Sequence, residues 1–278
     1  MIILDGKLTK NKILKKIKEE IKENKYKINL SVILIGNNFS SEKYVNNKRK
    51  ECDEVGINLK IYKFEENVEE NVILKRIEEL NNDDEVHGIF VQLPLPKHIN
   101  VEKVIDKISY SKDVDGFTPI NLGNLLLNKE TISSCTPLGI LRLLKEYNID
   151  IKGKKVCVIG SSNIVGKPLV NILMNEEATV FNCNSLTKNL KEITLISDII
   201  ISATGVINLI TKEMVKEGVI VIDVGINKNK ENKIVGDVDF FNIKSKCSYI
   251  TPVPGGVGPM TIAMLINNTY NCYLNLKK

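Results

Sequence analysis

Tryptophan is absent from this 278-residue chain, histidine occurs only twice, and the six cysteines stand far apart. No two cysteines form a CxxC pair, so neither a disulfide framework nor a cysteine zinc site is expected. His87 and His98 are too few to suggest a histidine metal centre. We therefore expect no bound metal, and we expect reduced cysteines that pack mainly in the core.

Long hydrophobic runs are also missing, although 43% of the residues are hydrophobic and can form a sizeable core. No apolar run approaches the roughly 20 residues that a membrane helix needs, and the first residues lack the pattern of a signal peptide. We expect no membrane partner and a cytoplasmic location. The net charge is +5, but the sequence has no block of basic residues with interleaved aromatics, so no nucleic-acid partner is expected.

Predicted strands and helices alternate along the chain, which indicates an α/β fold with a mostly parallel sheet. The pattern changes near residue 120 and predicts two lobes, 1–120 and 121–258. A last helix, about 259–278, is expected to return to the first lobe. The predicted strands are Ser31–Ile35, Leu59–Tyr62, His87–Leu93, Lys155–Ile159, Thr179–Asn182, Ile199–Ala203 and Val219–Val224.

Residues 154–184 combine a strand, a glycine turn, a helix and a second strand, the βαβ arrangement of a Rossmann-like unit. Gly160 and Gly166 can provide the tight turn and the close approach to a pyrophosphate. Their spacing departs from G-x-G-x-x-G, so an ordinary turn explains this segment alone equally well. The segments 202–205 and 223–227 strengthen the dinucleotide interpretation, because ligands bind at the carboxyl ends of strands in open α/β sheets.

The end of the second strand bears on which dinucleotide is bound. An NAD site usually carries an acidic residue there for the ribose 2′-hydroxyl, and residues 182–185 contain no carboxylate. Ser161, Ser185, Thr187 and Lys188 can instead donate to a 2′-phosphate. This composition favours NADP.

Polar residues in the first lobe form a second candidate group. Tyr44 and Lys48 lie four residues apart on a predicted helix and share one face, as many ordinary surface pairs do. Gln92 falls inside an apolar predicted strand, where an amide needs a buried partner. At least one of Asp113 and Asp115 is expected to be a turn or cap residue.

The segment Thr251–Met260, with the sequence TPVPGGVGPM, contains three prolines and three glycines in ten residues. Such a composition fixes a special backbone path. A structural turn is the simpler interpretation, and close approach of the backbone to a ligand is the more specific one.

Taken together, these motifs resemble the methylenetetrahydrofolate dehydrogenase/cyclohydrolase family over essentially the full chain. The order of the segments makes chance agreement implausible. The matching segments are Ser41–Lys48, Gly88–Pro96, Lys112–Gly116, Cys135–Pro137, Ile164–Pro168, Ala178–Val180 and Thr251–Ala263.

The resemblance implies a bifunctional enzyme of one-carbon metabolism that is a homodimer. Such an enzyme oxidises 5,10-methylenetetrahydrofolate with NADP and hydrolyses the methenyl product to 10-formyltetrahydrofolate. It also implies that 1–120 is the catalytic, folate-binding domain and 121–258 the Rossmann-like NAD(P)-binding domain. A non-catalytic folate- or nucleotide-binding paralogue and a cyclohydrolase without dehydrogenase activity are the alternatives. A short-chain dehydrogenase is rejected, because Tyr44 precedes the glycine turn by over 100 residues.

Site residues follow from the matching positions. The resemblance implies that Lys48 is the catalytic lysine, supported by Gln92 and Tyr44, and that Asp115 holds the pterin ring. Implied substrate contacts are Tyr44, Val91, Gln92, Leu93, Asp115, Pro254, Gly255, Gly256 and Gly258. Implied cofactor contacts are Gly160, Ser161, Ser162, Ile164, Gly166, Ser185, Thr204, Gly205 and Ile226.

Two positions depart from the family pattern. Ser161 stands where the family usually has arginine, and Asn184 stands where it usually has histidine. Arginine is the natural bidentate partner of a 2′-phosphate. NAD is therefore an alternative to NADP as the cofactor.

Overall fold

The structure, a computed structural model, describes residues 1–277, with the side chain of Ser40 excepted. Residue 278, the predicted end of the last helix, lies outside the described residues. The strands are β1 (Ile2–Ile3), β2 (Ile28–Ile35), β3 (Ile57–Phe64), β4 (Gly88–Val91), β5 (Lys155–Ile159), β6 (Thr179–Cys183), β7 (Ile199–Ser202), β8 (Val219–Asp223), β9 (Asn227–Lys228), β10 (Ile234–Val235) and β11 (Cys247–Ile250).

The α-helices alternate with these strands over most of the chain. They are α1 (Gly6–Asn24), α2 (Phe39–Val55), α3 (Glu70–Asn81), α4 (Val101–Asp106), α5 (Pro119–Leu126), α6 (Cys135–Glu146), α7 (Gly166–Asn175), α8 (Leu190–Ile196), α9 (Phe240–Ile243) and α10 (Val257–Leu276). Short 3₁₀ helices cover Lys212–Met214 and Lys244–Lys246. The predicted α/β class is confirmed, since every pair of strands in the two larger sheets is parallel. In the described residues, no helix is long and apolar enough to cross a membrane.

The chain divides into two compact units, each made of two separate segments. One unit comprises Met1–Asn11 and Thr136–Thr261, and the other comprises Lys12–Cys135 and the residues from Ile262 onward. We call them the nucleotide unit and the lysine unit, after the glycine turn in the first and Lys48 in the second. The predicted boundary at residue 120 lies inside the lysine unit.

The lysine unit is built on a three-stranded sheet in the order β3-β2-β4. The central strand, β2, has a nearly continuous apolar sequence, INLSVILI, because both of its faces are covered. Helix α3 packs Ile73, Ile77 and Leu80 into the same core as Ile33 and other residues of β2 and β4. The spacing of these three residues is the helical period that buries one face.

A buried lysine caps the C-terminal end of α3. The Nζ of Lys112 donates to the carbonyl oxygens of Leu80, Asn81 and Asp83 at 3.2, 2.8 and 2.8 Å. The Leu80 and Asn81 carbonyls lie at the end of the helix and have no partner within it. The Asp83 carbonyl lies just beyond the helix and also accepts from the N–H of Val86 at 3.0 Å. Burial lowers the pKa of Lys112, yet three carbonyl acceptors in this position satisfy its charged form.

The C-terminal helix, α10, completes the lysine unit. The side-chain amide of Asn268 donates to the carbonyl oxygens of Val114 and Ser133, both at 2.9 Å. Asn268 is almost fully buried. It therefore ties two segments of the loop region after β4 to the last helix of the chain.

The nucleotide unit contains a six-stranded sheet in the order β1-β11-β8-β7-β5-β6. The chain passes from β5 to β6 on one side, and then returns to β7 on the other side of β5. This reversal leaves a crevice at the carboxyl ends of β5 and β7, where ligands bind in sheets of this type. The N-terminal strand β1 was not predicted, because two residues carry no readable periodicity.

Three predicted strands end earlier in the structure, one of them, Val219–Val224, by a single residue at Asp223. The strand predicted at His87–Leu93 covers only Gly88–Val91, because Pro94 and Pro96 have no N–H to continue a ladder. Gln92 therefore follows the strand rather than lying inside it. The strand predicted to end at Ala203 ends at Ser202, where the chain turns into the loop around Gly205.

Candidate active site

Helix α2 carries the two polar residues that its sequence spacing predicted on one face. The helix begins after Asn38, whose side chain accepts from the N–H of Ser41 at 3.1 Å, and it ends at Gly56 with a positive φ of 90°. Lys48 is partly buried, and Tyr44 is 46% exposed. An exposed tyrosine ring of this kind is available for stacking on a ligand.

Lys48 is held against the end of β4. Its Nζ donates to Oε1 of Gln92 at 3.2 Å and lies 4.2 Å from the ring centroid of Phe90. The ring face attracts the ammonium group while the rest of the side chain stays partly buried. The structure thus brings together Lys48 and Gln92, two of the predicted catalytic residues.

Gln92 is fixed by its own backbone as well as by its side chain. Its N–H donates to the carbonyl oxygen of Ile33 at 2.9 Å, and its Nε2 donates to the carbonyl oxygen of Leu93 at 2.8 Å. The peptide bond between Leu93 and Pro94 is cis. With Nε2 committed, Gln92 presents an acceptor oxygen toward Lys48.

Asp113 and Asp115 have different roles. The buried carboxylate of Asp113 accepts hydrogen bonds from the N–H groups of Gly116 and Thr118 and from the side chain of Asn121, at 2.8–3.0 Å. Asp113 is therefore the predicted turn residue. In the described residues, the carboxyl group of Asp115 has no such hydrogen bond, which leaves it available to a ligand.

The environment of Asp115 shifts its titration. Desolvation in the dense surroundings raises its pKa to about 6, the charge of Lys48 lowers it, and Asp113 raises it. A small pocket brings Asp115 together with Val91 and Leu93, two further predicted substrate contacts; the others that line it are Ile105, Ile108, Asp113 and Phe117. Perturbed carboxyl groups in pockets are frequent at functional sites.

The proline- and glycine-rich segment belongs to the nucleotide unit. The peptide bond before Pro254 is cis, and Gly255 has a φ of 114°, a conformation that favours glycine. The N–H of Gly6 donates to the carbonyl oxygen of Gly255 at 2.9 Å, and that of Gly256 donates to Pro252 at the same distance. The segment is thus a fixed turn, and Gly258 at the start of α10 leaves open space where a Cβ would lie.

The glycine turn of the nucleotide unit has the shape of a phosphate cradle. Gly160 has a φ of 122°, and a Cβ on it would meet the backbone of Ala203 at the end of β7. A Cβ on Gly166 would overlap the backbone of Gly160. The hydroxyl oxygen of Ser162 accepts from the N–H groups of Val165 and Gly166 at 3.2 and 3.4 Å. The two glycines therefore let backbone segments approach closely at the start of α7, as a pyrophosphate-binding turn requires.

Neutral polar side chains surround the carboxyl end of β6. The Oγ of Ser161 donates to Oδ1 of Asn182 at 2.8 Å. The N–H of Asn184 donates to the hydroxyl of Thr187 at 2.8 Å, and Ser185 is exposed. The structure brings Ser161 and Ser185 to the same end of neighbouring strands, as predicted for residues near the adenine ribose. Ile164 is exposed on the turn beside them.

Thr204 and Gly205 follow β7, and Ile226 follows β8. The buried Asp237, which the sequence did not single out, holds the first two: its Oδ2 accepts from the N–H of Thr204 at 2.7 Å and from that of Gly205 at 3.3 Å. Its Oδ1 accepts from the side chain of Asn227, the residue after Ile226. The signal for it was weak, since a Gly-Asp step after a two-residue strand resembles an ordinary turn. Its importance comes from contacts distant in sequence.

The described residues contain no group of His, Cys, Asp and Glu side chains arranged to hold a metal ion. The six cysteines are free and buried.

Known proteins resemble this chain along both of its units. Residues 4–115 match the family model of the tetrahydrofolate dehydrogenase/cyclohydrolase catalytic domain, and residues 134–277 match that of its NAD(P)-binding domain. The chain is 53% identical to the bifunctional protein FolD of Mycoplasma capricolum, with 98% of each covered. The solved structure of the bifunctional enzyme FolD from Campylobacter jejuni has a TM-score of 0.97 at 51% identity over 99% of both chains. That of the Trypanosoma brucei enzyme, complexed with NADP cofactor and inhibitor, has a TM-score of 0.93 at 35% identity over 99% of this chain and 98% of that one.

Proposed function

Since the chain belongs to the tetrahydrofolate dehydrogenase/cyclohydrolase family, we propose that its two activities are carried by Lys48, Gln92, Tyr44 and Asp115 together with the glycine cradle of the nucleotide unit. The protein is a bifunctional enzyme that oxidises 5,10-methylenetetrahydrofolate and hydrolyses the methenyl product to 10-formyltetrahydrofolate. The observation that carries the residue assignment is the bond between Lys48 and Gln92.

Lys48 serves the hydrolytic step. Water adds to the methenyl carbon and loses one proton to leave a hydroxyl group. The hydroxyl then loses its proton to become the formyl C=O, while the bond from that carbon to one folate nitrogen breaks and the nitrogen gains a proton, so one proton is released overall. Lys48 transfers these protons, and Oε1 of Gln92 orients Nζ for the task, which is the usual arrangement of a positioned acid–base group. The partial burial of Lys48 limits competing contacts with bulk water.

Asp115 and Tyr44 bind the folate. With a pKa of about 6, the Asp115 carboxyl is mainly ionised at neutral pH and can accept hydrogen bonds from the N–H groups of the pterin ring. The exposed ring of Tyr44 stacks on the aminobenzoyl group. Val91, Leu93 and the turn of Pro254, Gly255, Gly256 and Gly258 complete the proposed substrate contacts.

Gly160, Ser161, Ser162, Ile164, Gly166, Ser185, Thr204, Gly205 and Ile226 form the proposed cofactor site. Bound NAD(P)+ supplies the hydride acceptor of the dehydrogenase step. The turn at Gly160 and Gly166 fits the pyrophosphate. A Cβ at either position would overlap neighbouring backbone, so glycine is needed for the tight turn that approaches the pyrophosphate.

We propose NADP+ as the preferred cofactor, since Ser161, Ser185, Thr187 and Lys188 offer donors for a 2′-phosphate. A specific observation favours NAD+ as the second candidate: the Ser161 hydroxyl hydrogen is already donated to Asn182. The proposed enzyme is a cytoplasmic homodimer, an assignment that rests on the family resemblance.

The test is to mix the purified protein with 5,10-methylenetetrahydrofolate and either NADP+ or NAD+, and to follow reduced nucleotide and methenyl product separately. We expect faster reduction of NADP+ and little accumulation of methenyl product beyond its uncatalysed hydrolysis. Faster reduction of NAD+ would reverse the cofactor assignment. Normal activity in Lys48→Met and Asp115→Ala variants would overturn the residue assignment.

A further inference from the structure

Two carboxylates are buried at the carboxyl ends of β7 and β8. Asp223 is the last residue of β8, Asp237 follows β10, and both are almost fully buried. Asp223 accepts hydrogen bonds from the N–H groups of Gly225, Asp237 and Val238 at 2.9–3.0 Å. Burial raises the pKa of Asp223 to about 6, and the nearby charge of Asp237 also raises it.

Asp237 is the centre of a second set of hydrogen bonds. Its Oδ2 accepts from the hydroxyl of Ser202 at 3.0 Å, from the N–H and hydroxyl of Thr204 at 2.7 and 2.9 Å, and from the N–H of Gly205 at 3.3 Å. Its Oδ1 accepts from the side-chain amide of Asn227 at 3.0 Å. One side chain therefore holds the loop after β7 and the segment after β8.

The surrounding backbone makes room for both carboxylates. A Cβ on Gly236 would overlap the carboxyl group of Asp223, and a Cβ on Gly225 would overlap that of Asp237. Asp223 thus packs on Gly236, the residue before Asp237. Asp237 packs on Gly225, two residues after Asp223. Because burying two like charges side by side is costly for folding, the arrangement indicates a role other than stability alone.

The two segments held by Asp237 present apolar side chains to solvent. Val206 and Ile207 follow Gly205, and Ile226 precedes Asn227; these three are 50%, 41% and 58% exposed. Exposed aliphatic groups beside a fixed polar loop are typical of the wall of a ligand site. Their positions depend on the loops that Asp237 fixes.

We propose that Asp237 is a positioning residue for the dinucleotide, which sets the Thr204–Gly205 loop and the Ile226 segment in their binding conformation. The proposal rests on the proposed cofactor site, of which Thr204, Gly205 and Ile226 are members. Asp237 itself is buried and acts through its hydrogen bonds to Thr204, Gly205 and Asn227.

The replacement Asp237→Asn keeps the size of the side chain and removes one of its two acceptor oxygens together with its charge. An amide has one acceptor oxygen, so either the donors on Oδ2 or the donor of Asn227 must face an NH₂ group. The variant Asn227→Asp places a second carboxylate against Asp237. The double variant Asn227→Asp/Asp237→Asn restores a matched donor and acceptor, because the amide oxygen can face Thr204 and Gly205 while its NH₂ donates to the new carboxylate.

The experiment measures the dissociation constants of NADP+ and NAD+ for the full chain, the nucleotide KM and kcat of the dehydrogenase, and hydrolysis of methenyltetrahydrofolate without nucleotide. Each single variant is expected to raise the dissociation constant and KM at least about tenfold, with a smaller change in kcat at saturation. Hydrolysis stays within about twofold of wild type, because Lys48 and Gln92 belong to the lysine unit. The double variant recovers most of the lost affinity. Asp239→Asn, the same change at a partly exposed position two residues on, is the matched control and binds as wild type does.

The outcomes separate the two proposals. If wild type binds neither nucleotide, the proposed cofactor site and this inference both fail. If wild type binds and both single variants bind equally well, or the double variant recovers nothing, the positioning role fails and the cofactor site stands. Should Asp237→Asn not fold, Asn227→Asp decides alone, since it keeps the Asp237 carboxylate: weaker binding with normal hydrolysis supports the proposal, and unchanged binding overturns it.

Discussion

The Nζ of Lys48 donates to Oε1 of Gln92 at 3.2 Å, while Nε2 of the same glutamine donates to the carbonyl oxygen of Leu93. The second bond fixes which end of the amide faces the lysine. Gln92 therefore orients Lys48 without carrying a charge, whereas a carboxylate at this position would attract the ammonium group and oppose release of its proton.

Replacing Lys48 with methionine tests the hydrolytic role. Methionine keeps the unbranched apolar stem and removes the amine, so we expect hydrolysis of methenyltetrahydrofolate to fall by about 100-fold or more. The nucleotide dissociation constant should not change. Lys43→Met, the same replacement at an exposed position on α2, is the control and should keep full activity. Retention of hydrolysis by Lys48→Met would remove Lys48 from the mechanism.

Asp115→Asn is expected to weaken folate binding and to make stability relative to wild type increase as the pH rises. The pKa of Asp115 rises from 3.8 to about 6 on folding, so the folded state binds more protons than the unfolded state between pH 4 and pH 6. Wild-type stability therefore falls as pH rises through that window, by on the order of 2 kcal/mol. The uncharged variant lacks this loss.

Denaturant unfolding at pH 4 and pH 8 measures the effect, and folate KM is measured in parallel. The stability of Asp115→Asn relative to wild type should increase between the two pH values, while its folate KM rises about tenfold or more. Asp84→Asn, at an exposed position, should change stability by less than about 0.5 kcal/mol at either pH. An unchanged folate KM would exclude Asp115 from the substrate site.

Ser161→Arg is expected to raise the ratio of NADP+ to NAD+ preference. A guanidinium group at this position can bind a 2′-phosphate through two hydrogen bonds, and the present contact of Ser161 is a neutral bond to Asn182. We expect kcat/KM for NADP+ relative to NAD+ to rise about tenfold or more. Ser161→Gln adds length without charge and should leave the ratio near wild type. Equal ratios in all three proteins would show that position 161 does not contact the phosphate.

Lys112→Met is expected to destabilise the lysine unit. The variant leaves the carbonyl groups of Leu80 and Asn81 without the Lys112 donor, and a buried unsatisfied group costs about 1–3 kcal/mol. The Asp83 carbonyl keeps its bond from the N–H of Val86. Lys107→Met removes only an exposed ion pair with Glu78 and should cost less than about 1 kcal/mol. Denaturant unfolding compares the two variants; equal losses would contradict the capping role of Lys112.

Local patterns sufficed for much of the fold. The helical period of Ile73, Ile77 and Leu80 is a local signal for α3, and apolar runs predicted β2 and β5 because buried parallel strands are apolar on both faces. The strand β1 could not be found this way, since Ile2 and Ile3 form a strand only by pairing with Tyr249 and Ile250. Pairing between residues so distant in sequence leaves no local signal.

The site was predictable to a similar extent and for a similar reason. Tyr44 and Lys48 share a helix face, and the spacing of one turn indicates this directly. Asp113 and Asp115 are chemically equivalent in the sequence, and only the hydrogen bonds to Gly116, Thr118 and Asn121 distinguish the structural residue from the available one. Asp237 was missed because its partners come from β7 and from the segment after β8.

The bonds from Asn268 to Val114 and Ser133 bear on how the protein is made in the cell. Domains generally fold in the order in which the ribosome synthesises them, and most of the lysine unit, Lys12–Cys135, is synthesised before most of the nucleotide unit, Thr136–Thr261. The carbonyls of Val114 and Ser133 nevertheless have their Asn268 donor only once α10 is made, and α10 is translated after the whole Rossmann sheet. The lysine unit is therefore mostly synthesised first and yet completed last, and a nascent chain stalled before residue 268 has an unfinished lysine unit.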